Sequence, residues 1–330
     1  MTKKKKIIVI ISVLLVLAIG VTLAVTVLPD HMQSEVPASK VFGFRDKPEK
    51  AVRVMSFNVR CTNVGFRGRE DRTEDVVTTI LNCMPDSLGG QEATPEWIDT
   101  LDAEIGDKYA YVGEGRDGGH KGEYSAIFYL KDKYDVVDSG TFWLSETPDE
   151  VSKGWDAAFN RICTWVILKN KDTGKKYIHM NSHFDHVGEE ARSNSIKIIV
   201  EKSQEYKDIP AVFTADMNVK EGSFNYKEIA ENSIFKDTKY TAENVDEYIT
   251  YHDRFPEKHE GWVIDYCFAN EGFEAVNYGV VTESPSKYYV SDHFPIYADL
   301  TFKKTFDFDL NIGDFNTSIS IGDGIDIDIG

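Results

Sequence analysis

Short apolar stretches of strand length recur along the chain, and each is closed or interrupted by a hydrogen-bonding or ionisable residue. Val52-Arg53-Val54-Met55-Ser56-Phe57 predicts a central strand that stops at Asn58. Asp71 and Glu74 stand at capping-box spacing ahead of Val76, Val77, Ile80, Leu81 and Met84, which share one helical face before Pro85. A short strand leads into Gly89-Gly90-Gln91-Glu92. Thr94-Pro95 then opens a second helix whose inward stripe is Trp97, Ile98, Leu101 and Ile105. The middle of the chain is strand-rich, at 124–129, 134–144 and 162–168, with a turn at 170–175 and a return at 177–183. A helix at 189–206 and a buried strand at 211–215 follow. Hairpins interspersed with helices predict an α/β fold of two packed sheets covered by helices on the outside.

The two ends read differently. Lys3-Lys4-Lys5-Lys6 precedes an uncharged apolar run at 7–28, roughly 33 Å long as a helix and enough to cross a bilayer. No A-x-A cleavage site follows, so an uncleaved anchor is favoured over a signal peptide. The lysines place the N-terminus in the cytoplasm and the remainder outside, as a single-pass protein of the cell membrane. The expected organisation is an anchor at 1–29, a linker at 30–51 carrying Pro37 and Pro48, a folded domain at 52–302, and an acidic Asp/Ile/Gly tail at 303–330. The tail reads as a solvated extension or an added edge strand, and is expected to be dispensable for activity. Cys61, Cys83, Cys163 and Cys267 have no disulfide-framework or zinc spacing and read as small buried hydrophobes. The net charge of −18 argues against a broad basic face for duplex nucleic acid. It does not argue against a nuclease with a locally cationic cleft.

The polar residues at the strand ends form a series: Asn58, Glu92, His183, Asp216 with Asn218, Asp265 within Trp262-Val263-Ile264-Asp265-Tyr266-Cys267-Phe268, and Asp292-His293. Any one could be an ordinary turn residue. Together they suit phosphoester hydrolysis. Hard oxygen donors such as Glu92 and Asp292, with the amide of Asn58, favour magnesium or manganese over zinc. A histidine oriented by an aspartate can take a proton from water.

The motifs Ser56-Phe57-Asn58, Gln91-Glu92, Asn181-Ser182-His183, Asp216-Met217-Asn218, Ile264-Asp265-Tyr266 and Ser291-Asp292-His293-Phe294-Pro295 stand in one order. In this the chain resembles the endonuclease/exonuclease/phosphatase superfamily over 52–302. The resemblance implies a four-layer α/β sandwich with the site at one end of the paired sheets. It implies that Glu92 binds the metal, with Asn58 and Asp292 in or next to its shell. His293 would be the general base oriented by Asp265. Asp216 would position the nucleophile or manage a proton, Asn218 would hold a phosphate oxygen, and His183 would stabilise the phosphoryl charge. Tyr124 and Arg161 are further candidates for phosphate contact, although an ion pair explains Arg161 equally well. Asp185 and His186 lie close behind His183. Ala215 replaces a glycine usual in the family. Gly313-Asp314-Phe315-Asn316 matches the family text but lies after the Asp-His pair and lacks an apolar strand before it.

Substrate choice falls to the loops at 64–69, 114–121, 145–160 and 220–261. The leading expectation is a membrane-anchored, extracytoplasmic phosphodiesterase or nuclease. The second is a phosphomonoesterase for a small phosphorylated sugar or alcohol, and the third a non-catalytic binding module. The expected partners are a phosphoester, nucleic acid or small molecule, and the membrane through the N-terminal helix; no protein partner is evident.

Overall fold

The computed structural model describes residues 44–62, 68–253 and 262–303, with the backbone of 319–321 and 325–327. The apolar run at 7–28, most of the linker and Gly313-Asp314-Phe315-Asn316 lie outside the described residues. Among the described residues no helix is long and apolar enough to cross a membrane.

Two sheets face each other. Strands β1 (Val52–Asn58), β2 (Ser87–Gln91), β3 (Tyr109–Val112), β4 (Ile127–Leu130), β10 (Asn244–Asp246), β12 (Phe273–Val280) and β13 (Ile296–Phe302) form one, in the order β10-β12-β13-β1-β2-β4-β3. Strands β5 (Tyr134–Trp143), β6 (Ile162–Asn170), β7 (Lys176–His183), β8 (Ala211–Asp216), β9 (Lys236–Asp237) and β11 (Asp265–Ala269) form the other, in the order β5-β6-β7-β8-β11-β9. Helices α1 (Arg69–Cys83) and α2 (Pro95–Ile105) cover the first sheet, where Val76, Ile80, Trp97 and Ile98 pack on Met55, Phe57 and Leu88. Helix α3 (Glu189–Gln204) and helix α4 (Phe224–Ala230) cover the second, with Ile196, Ile199 and Ile229 against Ile178, Met180 and Phe213. A third apolar cluster, including Val54, Val166, Tyr177, Val212 and Cys267, fills the space between the sheets. The layers are helix, sheet, sheet, helix, as the sequence predicts. The backbone at Ile319–Ile321 and Ile325–Ile327 pairs as a separate two-stranded ribbon.

Period-two alternation explains how this scaffold builds a site. On β1, Met55 and Phe57 face the helices while Val52 and Val54 face the other sheet. Ser56 and Asn58 continue that inner row. On β7 the inner row is Tyr177, His179, Asn181 and His183; on β8 it is Val212, Thr214 and Asp216; on β11, read backwards, Ala269, Cys267 and Asp265. Each row passes from apolar to polar or charged in one direction. Pairing aligns the rows, since His183 lies opposite Asp216, Asp265 opposite Asp216, and Asn58 opposite Gln91. The charged ends therefore share one rim of the sandwich.

Two local expectations are corrected. Helix α1 begins at Arg69 behind Gly68, which supplies no side-chain cap, so Asp71 lies in the first turn and Glu74 further inside. Its acids favour the positive end of the helix dipole rather than forming a capping box. The helix ends at Met84 in the left-handed region, φ 45°, a conformation the following Pro85 does not impose. Asp265 opens β11 rather than interrupting a longer strand. Thr94 does cap α2, accepting from Trp97 N–H, with Pro95 at the first turn.

Candidate active site

Glu92 follows β2 in the left-handed region, φ 56°, which swings its carboxylate out of the strand's alternation and over the inner layer. There its Oε1 accepts from Asn58 Nδ2 at 3.0 Å and its Oε2 from Cys61 N–H at 2.7 Å. Burial disfavours its charge, but these donors outweigh burial and hold the carboxyl below its ordinary range. The same Asn58 Nδ2 donates to Asp216 Oδ2 at 2.9 Å and lies 3.5 Å from His293 Nε2. Asn58 Oδ1 accepts from Arg60 N–H at 2.9 Å, so its amide hydrogens, not its oxygen, face the carboxylates.

His293 Nδ1 lies 2.9 Å from Asp265 Oδ2, and its Nε2 lies 3.7 Å from Asp216 Oδ2. Asp265 fixes the tautomer by accepting from Nδ1–H and leaves Nε2 to face the other acids. The ring is buried, which alone would lower its pKa. Asp265 and Asp216 reverse that and raise it well above the ordinary value. Burial, with Asp265 beside it, pushes Asp216 up to about 7. Glu92, Asp216 and His293 each offer one donor atom within 4.8 Å of the others. Two crowded carboxylates, Asp216 buried and Glu92 half-buried, form with the imidazole a donor set that fits a divalent cation, which would relieve their mutual repulsion. Asp292 stands at the edge, its Oδ2 3.7 Å from Arg60 Nε.

On the other flank, His183 Nε2 is 3.1 Å from Asn218 Nδ2 and 3.5 Å from Asp216 Oδ2. Asn218, at φ 49°, also donates to Phe184 O at 3.0 Å. Burial and then the Arg161 charge depress the His183 pKa well below its ordinary value. Its Nδ1 has no hydrogen-bond partner among the described residues and lies 4.0 Å from Glu123 Oε2. Arg161 is buried and held by Asp185 Oδ2 at 3.2 Å and His186 Nδ1 at 3.1 Å. Asp185 and His186 thus act on the cleft through Arg161. Tyr124 hydrogen-bonds His120 and Gly119 rather than any of the clustered acids.

The sequence reading did not single out four groups found here. Glu123 pairs with Arg116 Nη1 at 2.9 Å beside His183. Arg116 comes from the glycine-rich loop at 114–121, one of the loops assigned to substrate choice. Thr250 Oγ1 accepts from both Ile264 N–H and Asp265 N–H at 3.0 Å, while its carbonyl accepts from Phe294 N–H at 2.7 Å. One buried residue thereby fastens both members of the Asp265–His293 pair. Tyr251, next to it, rests its ring 4.9 Å from that of His293 and stacks on Trp262. These residues sit in loops without periodicity. The signals in the sequence were that Glu123 adjoins Tyr124 and that Arg116, Thr250 and Tyr251 lie in loops assigned to substrate choice.

A sandwich whose strand ends bring acids, amides and histidines to one rim is the architecture expected of a phosphoesterase. The chain belongs to the Endonuclease/Exonuclease/phosphatase family, whose sequence profile matches residues 55–293. By class it is a phosphoester hydrolase. An endonuclease/exonuclease/phosphatase from Bacteroides vulgatus is 39% identical, over 77% of this chain and 100% of that one, with a TM-score of 0.73. A family protein from Bacteroides thetaiotaomicron is 33% identical, over 77% and 98%, with a TM-score of 0.74. A mannosyl-6-phosphatase from the same organism is 35% identical, over 76% and 100%, with a TM-score of 0.72. No curated protein matches the chain.

Proposed function

We propose that the protein is a divalent-metal-dependent phosphomonoesterase that removes phosphate from a small phosphorylated sugar. This places the second of the sequence expectations ahead of the diesterase. The observation that carries the choice is the 35% identity to a mannosyl-6-phosphatase along that chain's full length. The net charge of −18 also disfavours a long polyanion as substrate.

In this reading Glu92, with Asp216 across from it, holds magnesium or manganese. Asn58 orients both carboxylates, and Asp292 lies outside them against Arg60. The bound cation would polarise a phosphoryl oxygen and stabilise charge on the leaving oxygen. His293, with Nδ1–H on Asp265, presents Nε2 to take a proton from the attacking water, and Asp216 orients that water. His183, with Nε2 accepting from Asn218, directs Nδ1–H into the cleft, where Glu123, Arg116 and Arg161 surround it. That end suits the charge of a phosphoryl group. The N-terminal lysines and apolar run would anchor the enzyme in the cell membrane, with the domain outside.

A phosphodiesterase is the second reading. It is favoured by the Tyr251–Trp262 stack, whose ring centroids are 5.4 Å apart, with Lys220 Nζ 4.5 Å over Trp262. Such a wall beside His293 could stack a base. The test is turnover by the full chain, with magnesium or manganese, of mannose 6-phosphate, glycerol phosphate, a simple diester, DNA and RNA. His293→Ala is the control. Hydrolysis of diesters with monoesters untouched would overturn the proposal.

A further inference from the structure

Phe159 is 47% exposed, yet it is not loose. Its N–H donates to Asp185 Oδ2 at 3.3 Å, Arg116 sits 4.5 Å from its ring centroid, and His186 stacks on it at 5.9 Å and 23°. The loop beneath is pinned too. Arg116 O accepts from Trp143 Nε1 at 2.8 Å, and Asn160 Nδ2 donates to Asp117 at 2.9 Å. A rigid aromatic ring facing water forgoes the free energy of burial, which marks it as a contact surface. Two neighbouring loops add to it. Val187, beside His186, is 62% exposed and Val151 is 52% exposed. The Val151 loop touches the glycine-rich loop, since a Cβ on Gly118 would lie 3.0 Å from Val151 Cγ2.

This apolar shelf adjoins the cationic end of the cleft. Arg116, under Phe159, bonds Glu123, and Glu123 is 4.0 Å from His183 Nδ1. The molecule that fits has an anion at one end and a ring with an apolar face next to it. A hexose phosphate has that form: its phosphate would reach His183 and Arg161 while the C–H face of its ring lies on Phe159. An acyclic alkyl phosphate has the anion but no ring. We propose that Phe159, with Val187 and Val151 on neighbouring segments, is the specificity-determining subsite for the sugar ring of the leaving group. This rests on the monoesterase reading above and adds which part of the substrate the chain recognises besides phosphate.

The test compares the full chain with Phe159→Ala and Phe159→Trp on mannose 6-phosphate and on glycerol phosphate, with the thermal midpoint measured for each. The expected result for Phe159→Ala is a rise in KM for the hexose phosphate. Its preference over glycerol phosphate, as a ratio of kcat/KM, falls about fivefold to tenfold. Phe159→Trp keeps the preference. Equal losses on both substrates, or no loss on the hexose, would overturn the subsite. A wild-type chain that hydrolyses glycerol phosphate but not the hexose would overturn it as well and leave the monoesterase reading standing. Cleavage of diesters alone would overturn both.

Discussion

Two buried polar clusters lie between the same two sheets, a few residues apart along the same strands, and they are satisfied in opposite ways. In the interior cluster, Tyr177 Oη–H donates to Ser87 Oγ at 3.0 Å, and Ser87 Oγ lies 2.9 Å from His179 Nδ1. His179 Nε2 lies 2.8 Å from Thr214 Oγ1, which donates to Asn181 Oδ1 at 3.0 Å. The donors run in one direction through neutral groups, and burial drives the His179 pKa down to about 3. Gln91, whose amide also donates to Asn181, leaves only its Oε1 without a partner among the described residues. At the rim, where β8 ends at Asp216 and β11 opens at Asp265, carboxylates crowd the His293 imidazole and raise its pKa instead. Neutral groups whose bonds close on each other hold the sheets together. Charged groups that cannot neutralise each other are poised for an ion, a proton or a substrate.

The largest effect is expected at the rim. His293→Ala should lower kcat/KM about 10³-fold at pH 7. A variant within tenfold of wild type would remove the proposed base. Asn58→Ala is next. Its Nδ2 touches Glu92, Asp216 and His293 together, so magnesium affinity by calorimetry should fall about tenfold to a hundredfold. Unchanged affinity would place the ion elsewhere. Thr250→Val should lower kcat about tenfold with KM nearly constant, because Ile264 N–H and Asp265 N–H lose their Oγ1 acceptor while the carbonyl bond to Phe294 N–H stays. Thr250→Ser, which keeps the oxygen, should restore the rate. If Ser and Val behave alike, the hydroxyl is not what positions the pair.

What could be read from the sequence follows the same division. The strand ends were legible because alternation fixes which residues share a face, and Asn58, His183 and Asp216 each sit at a strand terminus in phase with the inner row, whereas Asp265 opens a strand that the sequence pattern began at Trp262. Glu92 was legible as a terminus, but its positive φ was not. The interior cluster was invisible: Ser87, His179 and Thr214 each look like one polar residue in an apolar strand, and only pairing across the sheets joins them. Arg116 and Thr250 were missed for another reason. They act from loops, where no period exists and where the partner lies far along the chain. Thr250 reaches Asp265 and Phe294 only once β11 and the segment ahead of β13 are in place. The Asp71–Glu74 spacing misled because the helix starts earlier, at Arg69, where Gly68 permits the turn without a side-chain cap.

Stability, unlike rate, separates the two histidines by sign. His179 has a folded pKa of about 3, below the ordinary 6.5. Between those values the unfolded chain binds more protons than the folded one, so His179 stabilises the fold above pH 6.5 and loses that contribution as pH falls. His293 in the metal-free protein has a raised pKa. Its contribution is therefore fully present below pH 6.5 and is lost as pH rises through the folded value. From pH 7 to pH 5 the His179 contribution should drop by about 2 kcal/mol. Urea unfolding at both pH values, for wild type and His179→Gln, isolates it by subtraction, since His293 is common to both. The variant should lose less stability on acidification by that amount while its kcat at pH 7 stays within about twofold of wild type. Should the two proteins lose stability equally, the interior cluster takes up a proton in the folded state, and the division between a neutral interior and a charged rim does not hold.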